Sequence, residues 1–210
     1  YDYTGFHFDA PKVTVYLPDT DYAALTIREH TGSVDLPQAF SFDRVDISTS
    51  TGGVTFCASA RETVRIGTGT GDIRVEGAAA GTLDLTVTTG IVTVSGVDCA
   101  GDISVDVSTG RANLTDVTCR NLTSTGSTGD LTLTQVRAAG TFSIERSTGS
   151  VHFDGVDAAE ISVRTSTGNV TGSLLTGKAF AAHSDTGRVD APQSGTGGRC
   201  EIDSNTGDIQ

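Results

Sequence analysis

Ten Thr-Gly pairs keep near-constant phase along this 210-residue chain: Thr31-Gly32, Thr51-Gly52, Thr70-Gly71, Thr89-Gly90, Thr109-Gly110, Thr128-Gly129, Thr148-Gly149, Thr167-Gly168, Thr186-Gly187 and Thr206-Gly207. The steps are all 19 or 20 residues. A period of that length marks a stack of one supersecondary unit, because a unit so short cannot close a core of its own.

Apolar residues travel with the pair. Six before the Thr stand Leu25, Val45, Val64, Leu83, Ile103, Leu122, Phe142, Ile161, Phe180 and Cys200, and four before it Ile27, Ile47, Ile66, Leu85, Val105, Ser124, Ile144, Val163, Ala182 and Ile202. Two after the Gly, the set runs from Val34 and Val54 to Val189 and Ile209, and four after it from Leu36 and Phe56 to Gly172 and Ala191. Val97, Val117, Val136 and Val156 add a third inward position seven after the Gly. Alternation with period two on both flanks of the corner predicts two short strands and a shorter third side per unit.

The fold class expected is therefore all-β: a single parallel β-helix, or β-solenoid, of about ten rungs of 19–20 residues. Like side chains would stack at a spacing of ~4.8 Å. Absence of the left-handed hexapeptide pattern points to a right-handed coil. The corner Gly supplies positive φ. The Thr has the parity of the inward residues, so its methyl is expected to pack inward and its hydroxyl to meet the backbone.

The ends differ from the middle. Tyr1, Tyr3, Tyr16 and Tyr22, with Phe6, Phe8 and the alternating run Val13–Leu17, suggest an aromatic cap over residues 1–24, ahead of one continuous solenoid over 25–210. The chain stops within a unit at Asp208-Ile209-Gln210, an open end expected to be covered by parent-chain residues or by another copy. Tyr1 in place of an initiating Met reads as a trimmed or processed segment.

Composition narrows the function. With 26 Asp and Glu against 14 Lys and Arg, and a net charge of −12, the chain lacks the basic footprint of a nucleic-acid binder. Lys12 and Lys178 are the only lysines, which disfavours anionic membranes. No apolar run reaches the roughly 18 residues of a span, so this segment is not expected to insert directly.

Chemistry-bearing residues do not converge. Cys99 and Cys119 share one position in consecutive units, within disulfide reach, but with Ala138 and Ala158 they also form a ladder of small residues, and free thiols are the preferred reading. Cys57 and Cys200 lie too far apart to pair, and no CxxC or Cys/His cluster suggests zinc. His7, His30, His152 and His183 fall at four different phases, so no metal or acid–base site is expected from them. Three before the Thr, acids alternate with Arg and hydroxyls; Glu145 and Arg164 read as a cross-rung ion pair, while Asp106, Glu145 and Asp203 are the carboxylates able to line a groove. Asp72, Asp130 and Asp208 follow the corner Gly without calcium-repeat spacing. Thr49/Thr51, Thr68/Thr70 and Thr165/Thr167 begin an outward Thr-x-Thr face that Val87, Val107, Gly126 and Arg146 interrupt, which speaks against ice binding. No catalytic, cofactor-binding or metal residue, and no cofactor, is assigned.

The phrases Asp46–Val54, Ser162–Val170 and Ser204–Ile209 resemble the adhesin-named family of bacterial β-strand repeat proteins, envelope domains rich in STGxΦ and STGDI units. The resemblance spans the chain from about Leu25 and implies a parallel β-helix displayed outside the membrane, in the cell envelope or at the cell surface. The family has no established catalytic residues to carry over. The expected function is a non-enzymatic, surface-displayed adhesin-like or scaffold domain, with cell-envelope glycan or protein as partner. The alternatives are a polysaccharide-active β-helix enzyme and an element that self-associates end to end.

Overall fold

The computed structural model describes residues 13–18, 20–192 and 195–210. Within them the chain is all-β. The strands are β1 (Tyr22–Thr31), β2 (Val34–Leu36), β3 (Ser41–Thr51), β4 (Val54–Phe56), β5 (Ser59–Thr70), β6 (Ile73–Glu76), β7 (Ala79–Cys99), β8 (Ile103–Cys119), β9 (Leu122–Thr128), β10 (Leu131–Ala138), β11 (Thr141–Thr148), β12 (Val151–Val156), β13 (Glu160–Thr167), β14 (Val170–Leu174), β15 (Lys178–Thr186) and β16 (Gly198–Thr206). Every pairing is parallel, and the coils form the expected β-solenoid, of about nine turns. Strands that precede the Thr-Gly corner stack as one side, and those that follow it as the next.

The core is a set of ladders. Val45, Val64, Leu83, Ile103, Leu122, Phe142, Ile161 and Cys200 are all buried, as are the ladder of Ile47, Ile66, Leu85, Val105, Ile144, Val163 and Ile202 and the valines of the third side. Each inward side chain lies on its counterpart one coil away, for example Leu83 on Ile103 and Val92 on Ala112. A second bend separates the second and third sides. There Gly77, Gly96, Asp116, Gln135 and Gly155 all hold φ between 52° and 60°, a column the Thr-Gly phase did not announce.

The Thr-Gly corner is built differently from expectation. The motif threonines, such as Thr51, Thr109 and Thr148, are exposed, whereas the hydroxyl residues two before them are buried: Thr49, Thr68, Thr165 and Ser204. Paired residues skip the position just before the Thr (Glu29 faces Thr49 and Thr31 faces Thr51, with His30 and Ser50 unpaired). The strand bends there and its alternation breaks, so the Thr turns outward. The face read as outward Thr-x-Thr is thus half core. Its inward hydroxyls cap the corner: Thr68 Oγ1 donates to the Gly52 carbonyl (3.0 Å) and Ser184 Oγ to that of Gly207 (2.8 Å).

Glycine at the corner is required twice over. Gly110 holds φ 141°, and a Cβ there would lie 1.7 Å from the Gly90 carbonyl oxygen; at Gly129 the same atom would come 1.5 Å from Gly110 O. Corner backbones thus touch through the whole stack. Asp72, Asp130 and Asp208, weighed above as calcium ligands, accept the backbone N–H of Ile91 (2.8 Å), Ser150 (2.9 Å) and Arg188 (2.8 Å) in the adjacent coil.

The order of the last coils is not sequential. The side runs β1-β3-β5-β7-β8-β9-β11-β13-β16-β15, so β16 enters between β13 and β15. Cys200 accordingly pairs with both Ile161 and Phe180, and Ile209 bridges both Val170 and Val189. Thr-Gly phase is blind to this exchange, since either strand fits either place. The contents decide it: Cys200, Ile202 and Ser204 are buried in the doubly covered slot, while Phe180, Ala182 and Ser184 take the half-covered terminal one. Lys178 holds the step across. Its buried Nζ donates to Asp157 Oδ1 (2.7 Å), the Ala158 carbonyl (2.6 Å) and Thr176 Oγ1 (2.8 Å). Burial pushes the Asp157 carboxyl up, but the hydrogen bonds from Lys178 and Thr176 outweigh it and hold the carboxyl below its ordinary range. The open end expected at Asp208–Gln210 is corrected accordingly: that segment lies inside the stack, and β15 forms the terminal strand.

At the other end, Tyr22 packs on Phe42 with ring centroids 5.8 Å apart, and Phe40 lies 6.3 Å from Phe42. Val13, Val15 and Tyr16 are exposed and outside any strand. The remainder of the cap reading, residues 1–12 with Tyr1, Tyr3, Phe6 and Phe8, lies outside the described residues.

Two measurements check this architecture. Gly110→Ala should cost roughly 3 kcal/mol or more in urea unfolding, since both φ and the Gly90 carbonyl oppose it, whereas Gly32→Ala, which meets only the flexible Glu29 side chain, should cost about 1 kcal/mol. Equal losses would remove the stacking argument. Cysteines replacing Arg164 and Asp203, paired one coil apart, should cross-link on mild oxidation; cysteines replacing Arg164 and His183, two coils apart, should not. The reverse result would restore sequential order.

Candidate functional site

Outward positions around the corner form a trough over five coils. One rim is the residue three before the Thr, in spatial order Asp106, Thr125, Glu145, Arg164 and Asp203; the other is the residue just before it, Ser108, Ser127, Ser147, Ser166 and Asn205. The trough is open to solvent along its length and its volume is about 620 Å³. Strand spacing of ~4.8 Å makes it about 19 Å long.

Insertion of β16 completes this trough. In chain order, Asp185 and His183 would follow Ser166 and Arg164; the observed order places Asn205 and Asp203 there instead. Asp106, Glu145 and Asp203 therefore line one groove. Arg164 lies between two of them, 3.9 Å from Glu145 Oε1 and 4.0 Å from Asp203 Oδ2, so the expected Glu145–Arg164 pair is present with a second acid added. These exposed pairs fix charge order along the rim more than they stabilise the fold. The rim of serines was not singled out from the sequence, although Ser108, Ser127, Ser147 and Ser166 hold one rank in four consecutive units; elsewhere that rank carries His30, Gly69, Thr88 and Asp185, which mask it.

Beneath the floor lies a charge. Arg146 occupies an inward position two before its Thr and is only 5% exposed. Ser124 and Gly126, one coil away, leave room for it: a Cβ on Gly126 would fall 1.7 Å from Arg146 Nη1. Nη1 donates to the Thr125 carbonyl (2.8 Å) and Nη2 to Ser124 Oγ (2.6 Å), while the buried Nε has no partner. Burial lowers the guanidinium from the usual arginine range, opposed by the Asp106 and Asp130 charges. The sequence signal was a pair of departures in one unit, Ser124 between Val105 and Ile144 and Gly126 after Val107, beside an Arg on an inward position in the next.

The cysteines and histidines stay apart. All four cysteines are free; Cys99, Cys119 and Cys200 are buried, and burial pushes the Cys119 thiol up to about 12 and the Cys200 thiol to about 11. His152 Nδ1 meets Thr171 Oγ1 (3.1 Å) and His183 Nε2 meets Asp185 Oδ1 (3.0 Å), each on the exterior. His7 lies outside the described residues. Among the described residues no three His, Cys, Asp or Glu side chains converge as metal ligands, and no helix is long and apolar enough to cross a membrane.

Arg146→Met should be neutral or stabilising by up to about 2 kcal/mol, since it fills the space without a desolvated charge. Arg146→Ala should cost about 2–4 kcal/mol, because the space beside Gly126 is left empty. Urea titrations of both variants decide; a large loss with Met would show that the charge itself holds the coils together.

Comparison with known proteins covers the chain almost end to end. The Toastrack family model (DUF4097) matches residues 3–106 and again residues 98–210, each match taking in about half of the stack. No curated protein and no solved structure matches. With its stacked parallel coils and a family match over nearly its full length, the chain belongs to the Toastrack family.

Proposed function

We propose that this domain is a non-enzymatic, adhesin-like scaffold displayed outside the cytoplasm, in the cell envelope or at the cell surface, and that its trough binds envelope glycan. The observation that carries the reading is the pairing of two outward rims along five coils, one of four serines and Asn205, the other of three acids with Thr125 and Arg164. Hydroxyls that both donate and accept, carboxylates that accept and a guanidinium that donates are the groups that replace water around a polyol. A straight trough of even rungs suits an extended polymer better than a compact substrate.

The reading is non-enzymatic because Glu145 and Asp203 are each engaged by Arg164, at 3.9 Å and 4.0 Å, so the rim offers paired charges for contact rather than two acids free to act together. Display outside the cytoplasm rests on the resemblance of the STGxΦ units, and the acidic exterior fits a partner other than nucleic acid.

The test is binding to a purified cell-wall polysaccharide fraction and a glycan array. Saturable binding with the glycan recovered uncut is expected, weakened at least tenfold by the pair Ser127→Arg and Ser147→Arg with melting temperature unchanged. Binding indifferent to those substitutions, or cleavage of the glycan, would overturn the reading.

A further inference from the structure

Charge in the trough is ordered in depth as well as along the rim. Over the five coils the rim reads Asp106, Thr125, Glu145, Arg164 and Asp203, so an acid stands on every second coil. Two coils span ~9.6 Å. Arg164 sets a positive charge between Glu145 and Asp203, held loosely at 3.9 Å and 4.0 Å from exposed carboxylates. Between Asp106 and Glu145 the rim itself offers only Thr125.

A positive charge reaches that coil from below. Arg146 starts in the coil of Glu145, but its guanidinium ends in the coil of Thr125, where Nη1 donates to the Thr125 carbonyl, Nη2 to Ser124 Oγ, and Gly126 leaves the space they occupy. Arg146 and Gly126 both line the trough. The Arg146 side chain is only 5% exposed, and its Nε has no partner. It makes no ion pair among the described residues, and the Asp106 and Asp130 charges that act on it lie beyond ion-pair contact. A buried guanidinium without a contact counter-ion projects its field into the groove above, because little water screens it. Coil by coil the trough therefore presents acid, cation, acid, cation, acid, with opposite charges ~4.8 Å apart and like charges ~9.6 Å apart.

That spacing selects among polymers. An extended polypeptide sets same-face side chains ~6.8 Å apart and falls out of step with the coils at once. One sugar of an extended β-1,4-linked glycan advances by close to one coil. In such a ribbon the C2 substituent of one sugar and the C5 substituent of the next lie on the same edge, so an amine and a carboxylate can alternate along it.

Building on the glycan reading above, we infer that the trough selects a zwitterionic glycan in which amino sugars and acidic sugars alternate, with amines against Asp106, Glu145 and Asp203 and carboxylates over Arg146 and beside Arg164. A neutral glycan would leave both sets of charges unanswered, and a purely cationic one would meet Arg146 and Arg164 on every second sugar.

The test is calorimetric titration of the 210-residue chain with a synthetic β-1,4-linked hexasaccharide of alternating glucosamine and glucuronic acid, and with its N-acetylated and carboxyl-reduced forms. The alternating form should bind at least tenfold more tightly than either derivative. Arg146→Met should shrink its advantage over the carboxyl-reduced form at least threefold, and Arg164→Gln, an exposed change that leaves the floor intact, should do the same. Glu145→Gln should instead shrink its advantage over the N-acetylated form. Equal binding of all three, or tightest binding of a singly charged form, would overturn the inference while leaving the trough a glycan site. So would failure of all three with the cell-wall polysaccharide fraction still bound. Failure of that fraction as well would overturn both readings.

Discussion

Contact between successive corner backbones governs this molecule. A glycine carbonyl sits where the Cβ of the next coil's glycine would be, at 1.5–2.3 Å, from Gly52 to Gly207. That contact sets how closely coils approach at the corner, and the ladder spacing follows along both adjoining sides. The carbonyl of the residue before the glycine accepts the N–H of a neighbouring corner glycine, as Gly52 donates to Thr70 (2.8 Å) and Gly149 to Thr167 (2.8 Å), so these corner groups are paired through backbone alone. The Thr side chain is then free to face solvent.

Polar groups inside the stack follow from the same corner. Threonine and serine two before the motif cap glycine carbonyls, and where those hydroxyls give way the core accepts valine at Val87 and Val107 or, once, an arginine. Arg146 is tolerated because two departures in the neighbouring coil, Ser124 and Gly126, supply both acceptor and space. It lies beneath the part of the trough where the rim charges are most mixed. Structure and candidate surface are therefore coupled through one side chain.

The sequence made the coil, its period and nearly every inward residue legible, because identical ladders need identical positions and the eye can count them. Three things escaped it. The bend before the Thr breaks alternation, so parity assigned Thr51 and its equivalents to the inside and misplaced Thr49 and Thr68. The left-handed column at Gly77, Gly96, Asp116, Gln135 and Gly155 is occupied by residues too varied to announce it. Exchange of β15 and β16 keeps phase and pattern, and only the relative burial of Phe180 and Cys200 with their neighbours distinguishes it. The trough was half legible. Its acids were named from Asp106, Glu145 and Asp203, whereas its serine rim, one rank in four consecutive units, was lost among the many outward hydroxyls; the true order of coils decides only that Asn205 rather than Asp185 follows Ser166.

A strand that arrives late in the chain but early in the stack has a consequence for biogenesis. A solenoid that adds coils in the order of synthesis can fold behind the emerging chain, each new coil landing on a finished surface. Here the segment from Lys178 to Thr186 has no permanent seat until Gly198 to Thr206 has been made and has settled against β13. During that interval β13 presents an unpaired edge that β15 itself matches closely enough to occupy. Growth of the stack must therefore include a pause or a correction where β16 inserts between β13 and β15, and chaperone demand and aggregation during expression should be concentrated there.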